Sequence, residues 1–146
     1  MDIGHWVLCE GLEVTDELPY GFIYEITNIT NSRKYIGKKQ CQSVRKRPPL
    51  KGKKNKRHVT VETDWKEYTS SSNQLNEDIL ELGKDKFMFK ILRYCDSKFE
   101  LSYYEAKLQF ELEVLLTNEY YNGIIQLRLG KRRGLPPFAG SQQDIH

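Results

Sequence analysis

Between Tyr20 and Lys39 the chain reads YGFIYEITNITNSRKYIGKK, and side-chain character there repeats with period two. Phe22, Tyr24 and Ile26 alternate with Ile23, Glu25 and Thr27, the signature of a strand. Asn28 to Ser32 is turn chemistry, because Asn and Ser tolerate left-handed backbone and bond their own amides. Lys34-Tyr35-Ile36 starts a second strand and Gly37 closes it, which predicts a tight hairpin over residues 21–38. Downstream, Asp64 to Tyr68 predicts one helical turn carrying a buried Trp65. Leu75, Ile79 and Leu82 then recur at helical spacing between the caps Thr69–Ser72 and Gly83, predicting a helix over 73–82. The mostly apolar run Phe87 to Tyr94 predicts a central strand. Leu101, Tyr104, Leu108, Leu112 and Leu115 share one face of a long helix over 101–116. Ile124, Ile125 and Leu127 suit a short strand or packed coil. The expected fold class is α+β, a small three-stranded antiparallel sheet flanked by helices.

Charge changes this picture more than composition does. The 146 residues carry 23 Lys and Arg against 20 Asp and Glu, a net charge of +3. The sum hides a segregation. Residues 1–25 hold six acidic and no basic side chains, and residues 26–61 hold twelve Lys or Arg and no acid. Such a block is the footprint of a polyanion partner. Its densest part, RKRPPLKGKKNKRH over residues 45–58, contains Pro48-Pro49 and Gly52, so a basic loop or insertion is expected. Val59 to Val61 suits a brief extended piece. The domain plan that follows has an acidic arm over 1–19, a folded domain over 20–129 with the insertion at 45–58, and a flexible tail over 130–146. Within the arm, Trp6, Val7 and Leu8 could tuck onto the domain as a short extra strand or turn, and the rest is expected to be loosely held.

Several classes are disfavoured. No apolar run approaches the ~20 residues of a membrane span. The N-terminus lacks a basic start with an apolar middle, so an intracellular protein without membrane contact is expected. Cys9, Cys41 and Cys95 are far apart and form neither a zinc motif nor a disulfide framework.

The hairpin residues also carry a resemblance. Phe22-Ile23-Tyr24 followed by Tyr35-Ile36-Gly37 resembles the paired motif of the GIY-YIG nucleases. The frame Ser70-Ser71-Ser72, Leu75, Gly83, Phe87 and Ile91-Leu92 is similar to phage intron-encoded homing nucleases and their free-standing relatives. The resemblance spans about residues 20–125. It departs at Phe22, where the family has Gly and this chain places Gly21 one position earlier, and at the basic insertion.

That resemblance implies a metal-dependent endonuclease hydrolysing DNA, phage-encoded and acting in the bacterial host cytoplasm, with short or weak sequence preference. It implies Tyr24 as general base, Tyr35 as its partner in orienting water, Arg45 on the phosphate with Arg47 as fallback, and Glu105 as metal ligand. Asn122, with Asn118 as fallback, would fix the Glu105 end of the site. The implied ion is Mg²⁺, with Mn²⁺ as substitute. One carboxylate suits it because Mg²⁺ takes few protein ligands and keeps its waters. Lys38, Lys39, Arg47, Lys51, Lys53, Lys54, Lys56, Arg57 and His58 would bind nucleic acid. A homodimer on DNA would allow both strands to be cut. Taken singly, Tyr24 and Tyr35 are also ordinary cross-strand aromatics, Glu105 a solvated helix residue and Asn122 a turn residue. The alternative expectation is an inactive nucleic-acid-binding or inhibitory accessory protein on the same fold. An RNA-associated domain is a third reading, disfavoured because residues 41–58 contain no aromatic residue.

Overall fold

The hairpin forms as its alternation predicts. In the computed structural model, which describes residues 1–132 and 134, β2 (Gly21–Asn28) pairs antiparallel with β3 (Lys34–Gln40). Asn28 sets the turn. Its Oδ1 accepts from the Thr30 amide, and its backbone amide donates to the Arg33 carbonyl. On the other side of β2 lies β6 (Phe87–Cys95), also antiparallel. The register shifts between Ile23 and Tyr24, which re-aims Tyr24 relative to its neighbours.

The expected three-stranded antiparallel sheet is corrected to a mixed sheet of four strands, with β1 (Val7–Leu8) at one edge, in the order β1-β6-β2-β3. The added strand runs parallel to β6. Trp6, Val7 and Leu8 tuck onto the domain as expected, and the arm is tethered through them. Trp6 is buried and donates from Nε1 to the Trp65 carbonyl at 2.6 Å, and His5 stacks on Phe89 with ring centroids 4.0 Å apart.

Alternate residues of β2 feed two cores. Phe22, Tyr24 and Ile26 pack with Trp6, Trp65, Leu75, Phe89 and Ile91 on one face. Ile23 joins Ile36, Cys95, Leu101 and Val114 on the other. Burying each such side chain contributes roughly 1.5–3 kcal/mol. The first face is closed by the turn at Trp65–Glu67 and by α1 (Asn73–Leu82), which runs over the residues its pattern predicts. Ser72 caps α1 by accepting from the Leu75 amide, and Gly83, at φ 98°, ends it.

The second face is closed by α2 (Lys98–Glu111), capped by Ser97. Its expected end at 116 is corrected. The helix stops at Glu111 because the chain turns through Glu113, at φ 54°, to bury Val114. Leu112 and Leu115, expected on the apolar face, are exposed, and Gln109 is buried instead.

The expected basic loop is also corrected. β4 (Gln42–Arg47) and β5 (Arg57–Glu62) form a separate two-stranded antiparallel ribbon. Residues 48–56, with Pro48-Pro49 and Gly52, only turn it round. Of the expected tail 130–146, Arg133 and residues 135–146 lie outside the described residues.

Candidate active site

β3 is the edge strand of the main sheet, and a cleft of about 330 Å³ opens beside it. The hairpin supplies Tyr24 and Tyr35, whose ring centroids lie 6.2 Å apart. Lys38 enters from β3, and Tyr68 and Ser71 come from the segment leading into α1. Glu105 and Gln109 face the cleft from α2, one turn apart, and Ile124 and Gln126 complete the wall.

Gly37 explains how residues of both sheet faces meet here. It pairs with Tyr24 across the hairpin, and a Cβ at this position would lie 2.5 Å from the Tyr24 hydroxyl and 2.9 Å from the Tyr35 ring. The absent side chain is the space that the Tyr24 phenol occupies. The shifted motif glycine, Gly21, has a packing reason of the same kind. A Cβ there would meet the Lys39 carbonyl at 2.6 Å and the Leu101 side chain at 2.7 Å.

The electrostatics are set by burial. Tyr24 is 1% exposed, and desolvation pushes its phenol well above the usual 10. Burial, followed by the nearby Glu105, raises Tyr35 as well, against a lowering contact from the Ser71 hydroxyl. Desolvation raises the Glu105 carboxyl above its ordinary value, while the Lys38 ammonium and the Lys38 backbone pull the other way. Lys38 Nζ lies 3.8 Å from Glu105 Oε1 and donates to Ser102 Oγ at 3.0 Å. Lys39 sits 4.0 Å above the Tyr68 ring and is held by Asp64 at 2.8 Å.

Asn122 is buried but does not line the cleft. Its Oδ1 accepts from the Ile36 amide and its Nδ2 donates to the Ile36 carbonyl, at 3.0 and 2.8 Å. Gln109 donates to the same carbonyl at 3.0 Å. These amides satisfy the open edge of β3 beside Tyr35, as a neighbouring strand would. Asn122 therefore holds the Tyr35 strand rather than the Glu105 end.

Four of the expected residues thus share the cleft: Tyr24, Tyr35, Lys38 and Glu105. Lys39 lies beside it on Tyr68. Arg45 does not line the cleft. It is exposed on β4, where its Nε donates weakly to Ser43 Oγ at 3.4 Å. Arg47, Lys51, Lys53, Lys54, Lys56, Arg57 and His58 are exposed on the same ribbon. Among the described residues no arginine lines the cleft. Sequence reasoning did not place Tyr68, Gln109 or Gln126 there, and named Ser71 only among the candidate helix caps. Gln109 carried a signal, since it follows Glu105 at i+4 and so shares its helix face.

Oxygen donors dominate the cleft: one carboxylate, the hydroxyls of Tyr24, Tyr35, Tyr68 and Ser71, and two amides. Among the described residues no group of three His, Cys, Asp or Glu gathers anywhere. This donor set fits a hard cation that keeps most of its waters, and does not fit a cage of nitrogen and sulfur ligands. No helix among the described residues is long and apolar enough to cross a membrane.

Comparison with known proteins agrees with this geometry. A family model described as "Putative endonuclease segE, GIY-YIG domain" matches residues 7–125, most of the chain. No curated protein and no solved structure matches. A hairpin with both tyrosines, a carboxylate on the following long helix and a family match over both elements lead to one assignment: the chain belongs to the GIY-YIG endonuclease family.

Proposed function

We propose that this protein is a phage-encoded, Mg²⁺-dependent endonuclease that nicks duplex DNA in the cleft beside β3. The observation that carries the reading is the convergence of Tyr24, Tyr35, Lys38 and Glu105 on that cleft. Glu105 would hold the ion, with Mn²⁺ able to substitute and with Ser71 and Gln109 as neighbouring oxygen donors. When bound, the ion would polarise the scissile phosphate and stabilise the leaving 3′ oxygen.

The chain's own residues supply the rest. Tyr24 acts as the phenolate, its own proton having passed to solvent water, and takes the proton of the attacking water, which Tyr35 orients from the same wall. A phenol raised by burial gives up its proton only where positive charge gathers, and Lys38 brings one such charge to the cleft. Lys38 also meets the phosphate oxygens, the part that the resemblance implied for Arg45. Arg45 instead meets the DNA backbone outside the cleft, together with the ribbon lysines. One cleft cuts one strand per encounter, so a double-strand break needs two copies or two visits.

The test is nicking of supercoiled plasmid in Mg²⁺ and in EDTA. Mg²⁺-dependent nicking is expected, with loss of nicking but retention of DNA binding in Glu105→Ala. A second reading, a nucleic-acid-binding module without catalysis, is favoured by one observation: no arginine among the described residues lines the cleft. Binding with no metal-dependent nicking by the wild-type protein selects that reading.

A further inference from the structure

The β4–β5 ribbon sorts its charges in a way that backbone binding does not require. Residues paired across an antiparallel ribbon point to the same side, and successive residues alternate sides. The pairs Arg45↔Val59 and Arg47↔Arg57 therefore put three arginines on one side. Lys46↔His58 and Val44↔Thr60 put a lysine and a histidine on the other. The remaining lysines, Lys51, Lys53, Lys54 and Lys56, sit between the strands at the tip.

Arg47 directly opposite Arg57 destabilises an isolated ribbon, because like charges face each other. Among the described residues none of the Lys or Arg side chains from 45 to 57 is in an ion pair. The ribbon is nevertheless rooted firmly beside the cleft. The Thr63 hydroxyl donates to the Gln40 carbonyl, the Thr63 amide donates to the Cys41 carbonyl, and Asp64 holds Lys39. Six-residue strands reach about 20 Å, and two strands with their side chains fit a B-DNA major groove about 12 Å wide.

We propose that the ribbon is a base-reading element. It enters the major groove of duplex DNA with the Arg45, Arg47 and Arg57 side facing the bases, and reads guanine through the O6 and N7 acceptors. Arginine forks onto those two atoms together, which lysine cannot do. The tip lysines hold phosphates and carry no sequence information. Because the ribbon grows out of the strand bearing Tyr35, the base it reads sets where the cleft cuts. The inference rests on the nuclease reading for that last step, and its binding step stands independently of it.

The experiment separates the two. The wild-type protein in EDTA selects bound duplexes from a randomised DNA pool, so that no cleavage is needed. The expected result is a guanine preference at two or three positions, lost one position at a time in Arg45→Ala, Arg47→Ala and Arg57→Ala. Each loss is expected to be roughly 5- to 100-fold in relative affinity. Replacing the preferred guanine by 7-deazaguanine removes N7 and weakens wild-type binding without altering any protein residue. The triple variant Lys51→Ala, Lys53→Ala, Lys54→Ala keeps the preference and binds every sequence more weakly, with a shallower salt dependence. A wild-type pool without base preference overturns the proposal, as does an equal, sequence-independent loss in the arginine and lysine variants. A guanine preference in a protein that never nicks plasmid sinks the nuclease reading and leaves the ribbon reading intact.

Discussion

The cleft and the ribbon lie next to each other on the chain and hold their polar groups in opposite ways. In the cleft, Tyr24 is fully packed, Glu105 is mostly covered and linked to Lys38, and the β3 edge is satisfied by Asn122 and Gln109. On the ribbon every residue from Val44 to His58 is exposed, and the charges face solvent. The difference is one of desolvation. A group that reacts gains from low dielectric and fixed position, and the fold meets the cost by packing around it. A group that captures a polyanion gains from remaining unpaired until the ligand arrives. Substitutions in the cleft should therefore change rate and stability together, whereas substitutions on the ribbon change binding alone.

The largest expected effect is at Glu105. Glu105→Gln lowers nicking roughly 10²- to 10³-fold. Its effect on stability has the opposite sign. The folded-state pKa is raised, so the fold favours the uncharged acid, and that contribution is lost as pH rises through the folded value. At neutral pH without metal, Glu105→Gln is expected to melt a few degrees above the wild type in a thermal scan. The Lys38 ion pair it removes is partly exposed and contributes little. Next comes Gly37→Ala, whose methyl group claims the space of the Tyr24 hydroxyl. It should cost about 1–3 kcal/mol by denaturant titration and reduce nicking by more than that loss of folded protein explains.

Asn122→Ala leaves the buried Ile36 amide without its partner and should cost about 1–3 kcal/mol, with Tyr35 less well held. A smaller effect belongs to His5. Burial, with Lys84 nearby, lowers its pKa to about 4, so the unfolded chain takes up the proton first as pH falls. Stability present above about 6.5 is then lost on the way to 4. His5→Phe keeps a ring on Phe89 and should flatten that decline, read as urea midpoints at pH 7 and pH 5. The ribbon offers the contrasting control. The triple lysine variant is expected to leave the melting temperature unchanged while weakening DNA binding, and a large loss of stability would dissolve the distinction between the two regions.

What was legible in the sequence was local. The hairpin follows from alternation and from Asn28, and α1 from Leu75, Ile79, Ser72 and Gly83. Tyr24, Tyr35 and Glu105 were placed by the resemblance to the GIY-YIG motif, not by any local pattern. What was hidden depends on distant partners. The docking of Val7 and Leu8 was legible, but their pairing partner was not: the two-residue β1 runs along the edge of β6, more than eighty residues away in the chain. The ribbon has charges at most of its alternating positions, so no apolar period marks it, and Pro48-Pro49 suggests a loop. The early end of α2 is fixed by where Val114 must go. Arg45, which the resemblance put at the site, does not line the cleft, because a motif position carries no distance once an insertion follows it. The strand that begins after Cys41 carries Arg45 on an exposed ribbon outside the cleft lining.

The nuclease reading of the cleft stands on one divalent ion that Glu105 would hold there. Crystals soaked in Mn²⁺ and measured for anomalous scattering test it most directly. The account predicts one strong manganese peak within coordinating distance of Glu105 and inside the wall formed by Tyr24, Tyr35 and Lys38, absent in Glu105→Gln crystals. Manganese bound elsewhere, or a cleft peak that survives Glu105→Gln, would contradict it.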